Sequence, residues 1–135
     1  GELSGHICFA EDYYGFDDAL YAACLLAQLV SRSDRPLSAR VAEFPATIST
    51  PEIRVDVDED EKFGIVRDAV EEFSRDHEVI AVDGARVLFD GGWGLLRASN
   101  TQPVLVLRYE ASSPERLDAI RSTMEGWLRA RGVLV

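Results

Sequence analysis

Residues 79–89 have the sequence Val-Ile-Ala-Val-Asp-Gly-Ala-Arg-Val-Leu-Phe. Two apolar runs flank the dipeptide Asp83-Gly84, and this arrangement is the strongest short-range indication of a β-hairpin. Farther along the chain, residues 93–97 and 104–109 are rich in apolar side chains and predict two more strands. Because short connections join these consecutive strands, we expect an antiparallel sheet.

Further elements lie on both sides of these strands. Ile53, Val55 and Val57 alternate with charged residues, a pattern typical of a half-buried strand. A helix is predicted over 62–75, and a last helix begins after Ser113, an N-cap residue followed by proline. The order β-α-β-β-β-β-α predicts an α+β fold, with an antiparallel sheet of four to five strands and two helices on one face. The apolar faces of these helices are Phe63, Val66, Val70 and Phe73, then Leu117, Ile120, Met124, Trp127 and Leu128.

The N-terminal region has a different character. Residues 6–10 predict a short strand. Residues 16–30 predict a helix that is apolar on nearly all of its faces, so we expect it to be buried on several sides. Cys8 and Cys24 lie in these apolar stretches, so we expect buried free thiols. The polar residues 31–38 are the best linker candidate, and residues 39–44 predict a short helical piece.

Composition and charge exclude several classes of protein. The 135 residues include 14 basic and 24 acidic side chains, giving a formal net charge of −10. This balance opposes binding to nucleic acid or to an anionic membrane, both of which need a basic face. There is no signal-peptide pattern, and the longest apolar run is too short to span a bilayer, so we expect a cytoplasmic protein. The chain begins without Met on a loop-like segment, and we expect it to be a piece of a longer protein.

Residues 97–103, Arg-Ala-Ser-Asn-Thr-Gln-Pro, are the most informative polar stretch and connect two predicted strands. The planar guanidinium of Arg97 matches phosphate oxygens. The hydroxyls of Ser99 and Thr101 and the amide of Asn100 add further donors. The stretch therefore indicates an anion site, the alternative being an Asn-containing turn beside a surface arginine.

A second polar stretch is Gly-Glu-Leu-Ser-Gly-His at residues 1–6. Glu2 and Ser4 suit the hydroxyls of a sugar, and His6 is a candidate general acid or base near neutral pH. The alternative is a frayed terminus.

Elsewhere, the acidic residues 56–61 do not have the spacing of a calcium loop and are predicted to be solvated. No metal-ligand set is predicted. His77 is expected to face solvent, and Gly91, Gly92 and Gly94 are expected to be turn and bulge glycines.

Together the two stretches resemble loops of the α-D-phosphohexomutase superfamily. Residues 1–6 are similar to its sugar-binding loop, Gly-Glu-x-Ser-Gly-His, and residues 97–103 to its phosphate-binding loop, Arg-x-Ser-Asn-Thr-x-Pro. Within the superfamily the chain is most similar to the bacterial phosphomannomutase/phosphoglucomutase branch. Asn100 stands where phosphoglucosamine mutases tend to carry glycine. The matching surroundings are residues 15–18, 48–53, 92–97 and 104–111.

The resemblance implies an enzyme that interconverts hexose 1-phosphates and hexose 6-phosphates. A phosphoserine donates its phosphoryl group, a hexose 1,6-bisphosphate is the intermediate, and Mg²⁺ supports the transfer. No counterpart of the family's phosphoserine loop or magnesium loop is found in this sequence. By resemblance, His6 lies near the reacting end in a role that is not fixed, and the other substrate contacts divide into two groups. Sugar hydroxyls are bound by Glu2 and Ser4, and the phosphate that is not transferred by Arg97, Ser99, Asn100 and Thr101.

The resemblance also implies a division of the chain. Residues 1–42 correspond to the end of a third, α/β domain, of which a strand and a helix remain, and residues 43–135 to the fourth, phosphate-binding domain. Expected partners are mannose and glucose phosphates and the remaining domains of a parent enzyme, and the chain alone is expected to be inactive. Two alternatives are a phosphoglucosamine mutase fragment and a stand-alone, non-catalytic phosphosugar-binding module. A third, a nucleic-acid-binding relative of the same architecture, is opposed by the net charge.

Overall fold

The computed structural model describes residues 1 and 5–135, which form two compact units, 1–45 and 46–135. The first unit contains helices α1 (Ala19–Ser31) and α2 (Leu37–Val41). Asp18 caps α1, since its carboxylate accepts a 2.9 Å hydrogen bond from the backbone N–H of Tyr21. The predicted strand at 6–10 forms a single antiparallel bridge between Cys8 and Asp17, because a ladder needs a neighbouring strand and residues 5–45 contain no other.

Burial in the first unit differs from the expectation. No residue of α1 is buried, although the helix is strongly apolar. Cys8 and Cys24 are both exposed free thiols, so the prediction that they are buried is wrong. Residues 5–45 provide no second layer to cover the apolar side chains of the helix. Among the described residues, no helix is long and apolar enough to cross a membrane.

The second unit is an antiparallel sheet with two helices. Its strands are β1 (Ile48–Ser49), β2 (Ile53–Asp56), β3 (Glu78–Ile80), β4 (Ala85–Phe89), β5 (Gly92–Ala98) and β6 (Val104–Ala111). Strand β6 pairs with β5 on one side and with both β1 and β2 on the other, and the sheet continues through β4 to β3. Helices α3 (Lys62–Phe73) and α4 (Pro114–Arg129) complete the unit. The predicted order is confirmed, with β1 as an additional short strand.

The core lies between the helices and one face of the sheet. Strand β6 contributes Leu105, Leu107 and Tyr109, each fully buried, and α4 contributes Ile120, Met124 and Leu128. The predicted apolar face of α4 is therefore confirmed. Helix α3 instead buries Lys62, Ala69 and Phe73, while Phe63 is 55% exposed, so its predicted inward position is wrong.

Two glycines of β5 allow α4 to approach the sheet. Gly92 and Gly94 are paired in register with Ala111 and Tyr109, so they are not bulge residues as predicted. A Cβ atom at Gly94 would lie 2.2 Å from the sulfur of Met124, and one at Gly92 would lie 2.7 Å from the side chain of Ile120, both on α4. Gly91 is a turn residue with a φ of +76°, as expected. His77 is half-buried and 4.5 Å from the Phe89 ring, rather than solvent-facing.

Candidate functional site

The connection between β5 and β6 folds around the hydroxyl of Ser99. This side chain is buried, and its oxygen accepts hydrogen bonds from the backbone N–H groups of Thr101 (3.3 Å) and Gln102 (3.2 Å). The backbone of Ser99 closes the loop by donating to the carbonyl of Val104 at 3.0 Å. The hydroxyl of Ser99 holds the turn together, as serine hydroxyls do in short loops, and its predicted contact with phosphate stays a prediction.

Neighbouring elements hold the other end of the loop. Gln102 accepts a 2.7 Å hydrogen bond from Arg54 through its side chain and a 3.1 Å hydrogen bond from the Lys62 ammonium through its backbone carbonyl. The carbonyl of Pro103 accepts from the backbone N–H of Val57 at 3.0 Å. Three contacts, from β2, from the residue after it and from the start of α3, therefore fix the loop relative to the sheet.

Arg97 lies at the end of β5, on the sheet face opposite the helices, because its neighbours Leu96 and Ala98 point into the core. Its guanidinium forms a 3.0 Å ion pair with Asp83, which lies in the turn before β4. Gly84, with a φ of +97°, brings this turn against the backbone of residues 96–97. Among the described residues, the buried Nε atom of Arg97 has no hydrogen-bond partner. The guanidinium therefore has donor capacity left for an anion.

Asn100 and Thr101 are exposed at the tip of the loop. Both residues lie within four positions of Arg97 in the sequence. The turn that contains them is held by hydrogen bonds to the Ser99 hydroxyl, one of them from the N–H of Gln102. The structure thus brings together all four predicted phosphate-site residues on one connection. Together a guanidinium, two hydroxyls and an amide supply the kind of donors that recognise a phosphate group.

The second predicted stretch is described only in part. Glu2 and Ser4 lie outside the described residues, so their predicted sugar contacts remain predictions. His6 is exposed and donates a hydrogen bond from Nδ1 to the Asp17 carboxylate. This hydrogen bond lowers the pKa of Asp17. An imidazole that is oriented by a carboxylate is well suited to exchange protons with a substrate.

Sequence reasoning missed the residues that support the site. Arg54 and Lys62 lie 48 and 40 positions from the residue of the loop that they contact, and such pairs leave no local pattern in a single sequence. Asp83 was recognised only as part of a turn, and Asp17 only as a member of the segment 15–18. The dipeptide Asp83-Gly84 did indicate the turn that places the carboxylate beside Arg97.

Comparison with known proteins identifies the family of this chain. The family described as "Phosphoglucomutase/phosphomannomutase, C-terminal domain" matches residues 52–126, and the family's "alpha/beta/alpha domain III" matches residues 1–48. The chain belongs to the phosphoglucomutase/phosphomannomutase family. The loop and its supports lie within or beside the segment that matches the C-terminal domain.

Several relatives show how much of the family protein the chain represents. It is 44% identical to a phosphomannomutase/phosphoglucomutase of Pseudomonas aeruginosa, covering 96% of this chain and 28% of the relative. It is 41% identical to a phosphoglucomutase of Neisseria meningitidis, covering the whole chain and 30% of the relative. A crystal structure of a family protein from Burkholderia thailandensis superposes with a TM-score of 0.73 at 36% identity, over 96% of this chain and 27% of that one. The chain thus spans less than a third of these relatives.

Proposed function

We propose that this chain is the phosphate-binding, C-terminal part of an enzyme that interconverts hexose 1-phosphates and hexose 6-phosphates. The observation that supports this most directly is the loop after β5, where Arg97, Ser99, Asn100 and Thr101 lie on one supported turn. The names of the relatives, which include phosphomannomutases and phosphoglucomutases, support the class of substrate.

In this proposal the loop binds the phosphate group that is not being transferred. Arg97 contributes charge and a planar pair of donors, and the hydroxyl and amide side chains complete the contacts with phosphate oxygens. Holding this end of the substrate orients the opposite end, where the reaction takes place, and uses binding energy that is remote from the reacting atoms. Glu2 and Ser4 bind sugar hydroxyls, and His6, oriented by Asp17, exchanges a proton at the reacting end.

The transfer itself is assigned to other parts of the parent enzyme. We propose that a phosphoserine supplies the phosphoryl group through a hexose 1,6-bisphosphate intermediate, with Mg²⁺ stabilising the charge that develops in transfer. Among residues 1 and 5–135, no group of His, Cys, Asp or Glu side chains is arranged to hold a metal ion, so none of these residues is proposed as a magnesium ligand. The chain alone is therefore expected to bind hexose phosphates without isomerising them.

The test is a titration of the chain with inorganic phosphate, glucose 1-phosphate and mannose 1-phosphate, followed by NMR of the backbone amides. We expect saturable shifts concentrated at residues 97–102.

The Arg97→Lys variant should bind phosphate about tenfold more weakly, because lysine keeps the charge but loses the bidentate geometry. Arg116→Lys is the matched control, since Arg116 also pairs with a carboxylate, Asp90, but at the other end of β5. Equal affinity in the Arg97 variant and the control would contradict the proposed role of the loop.

A further inference from the structure

Lys62 is a buried charged residue that none of the predicted sites includes. It is the first residue of α3 and only 1% exposed. Its ammonium lies 2.6 Å from the carboxylate of Glu59 and donates a 3.1 Å hydrogen bond to the carbonyl oxygen of Gln102. Lysine is almost never fully buried unless it is paired, because removal of its charge from water is costly. An apolar side chain would fill this space without that cost, so the contacts of the ammonium are the feature to explain.

The contact with Gln102 fixes the residue on which the loop turns back into β6. The N–H of Gln102 donates to the Ser99 hydroxyl, and its carbonyl accepts both from Lys62 and, at 2.8 Å, from the backbone N–H of Val104. The next residue, Pro103, has no N–H with which to pair. The lysine therefore adds a charged side-chain donor to a carbonyl that the backbone N–H of Val104 also contacts.

Helix α3 transmits this restraint from the core. Beyond Lys62 the helix packs Ala69 and Phe73 into the hydrophobic core, so the position of its first residue is fixed by the fold. Arg54 also reaches Gln102, but its side chain is 57% exposed, and its hydrogen bond competes with water. The buried ammonium is in a less polar environment, where a charge-assisted hydrogen bond is stronger.

We infer that Lys62 is a positioning residue of the phosphate site: its hydrogen bond to the Gln102 carbonyl holds the 99–102 turn in its anion-binding conformation. Lys62 does not contact the ligand in this inference, and it acts through the loop backbone. The inference rests on the proposed function for the identity of the ligand, and on the geometry of the ligand-free loop for the role of the lysine.

The test compares Lys62→Met, which keeps an unbranched side chain of similar length, with Lys62→Arg, which keeps the charge and the donor. Glu59→Gln is the control, because it removes the negative charge that pairs with the ammonium and leaves the loop contact. For Lys62→Met we expect shifted amide resonances at residues 99–102 without ligand, unchanged resonances in β4, and inorganic phosphate bound about tenfold more weakly. Lys62→Arg should recover most of the lost affinity, and Glu59→Gln should bind as the unaltered chain does. A role in stability alone would move the melting temperature without moving the affinity of the folded protein.

Unmoved loop resonances together with unchanged affinity in Lys62→Met would overturn the inference. If that variant does not fold, the scalar coupling across the hydrogen bond between the Lys62 ammonium and the Gln102 carbonyl is measured in the unaltered chain, and its absence would overturn the inference equally. Failure of the unaltered chain to bind phosphate would instead count against the proposed function, while the ligand-free loop resonances would still test the role of Lys62.

Discussion

Asp83 and Arg97 show how a single ion pair bears on ligand binding. The Asp83 carboxylate occupies one nitrogen of the guanidinium that is proposed to bind phosphate. A phosphate group entering the site meets a carboxylate already in place, so the two anions compete for the same donor. The pair also orients the arginine before the ligand arrives. Because the Asp83 side chain is 68% exposed, water and salt screen the pair and the competition is weak.

The prediction at this scale concerns Asp83→Asn. Removing the carboxylate should strengthen phosphate binding about twofold to threefold at low salt, with the gain shrinking as salt is added. Asp90→Asn is the matched control, since Asp90 pairs with Arg116 away from the loop. Isothermal titration with inorganic phosphate at two ionic strengths measures the effect. Weaker binding in the Asp83 variant would mean that orientation of the arginine outweighs the competition.

Individual residues of the candidate site were predictable to different degrees. Arg97 and Ser99 were recognised because a polar run with these donors between two strands has a clear chemical meaning. Lys62 was not, because a lysine at a helix start is ordinarily a surface residue and the apolar pattern favoured burial of Phe63. In the structure Lys62 is buried and Phe63 is exposed, because the carbonyl of Gln102 accepts a hydrogen bond from the Lys62 ammonium. Such a pairing depends on tertiary structure and is not encoded in local spacing.

At the scale of elements, the contact between β5 and α4 depends on Gly94. The helix residues Met124 and Ile120 lie where a side chain at position 94 would be, and the Tyr109 ring closes the space from β6. The sequence indicated a special role for this glycine but suggested a bulge. Its true role is close packing between layers, and this role becomes visible only when the helix is placed on the sheet.

The prediction for this contact is that Gly94→Ala lowers the free energy of unfolding by about 1–3 kcal/mol, because the added methyl group overpacks a full core. Gly126→Ala is the control from the same helix, since a Cβ there meets no atom within 4 Å. That change should raise stability by up to about 1 kcal/mol through helix propensity. Urea unfolding of both variants gives the comparison. A neutral effect of Gly94→Ala would show that Met124 moves aside at little cost.

The whole molecule consists of two units with different interiors. Residues 46–135 enclose a continuous core, whereas α1 in residues 1–45 buries none of its residues. The strand and helix order of the larger unit was predictable because its elements alternate or repeat with clear periods. Burial in the smaller unit was not predictable from the sequence. Periodicity shows that α1 is apolar, but it does not show whether other residues cover the helix, and within residues 5–45 none of its residues is buried.

Hydrogen exchange of the 135-residue chain tests this difference. The amides of β6 should exchange at the rate of global unfolding, and those of α4 should be strongly protected because one face of that helix lies in the core. The amides of α1 should exchange orders of magnitude faster, since little buried apolar surface opposes its opening. Protection of α1 equal to that of α4 would contradict this and would mean that its apolar surface is covered in solution.

The outer strands of the sheet have a consequence for aggregation. Strand β3 has three residues and begins with Glu78, while along β6 the outer position is divided between β1, with two residues, and β2, with four. Pro51 lies in the interruption and has no N–H to offer to another chain. Short, charged and broken edges give a second molecule no long row of backbone groups on which to extend the sheet. Copies of this chain are therefore expected to resist amyloid-like growth, and any self-association should proceed through side chains.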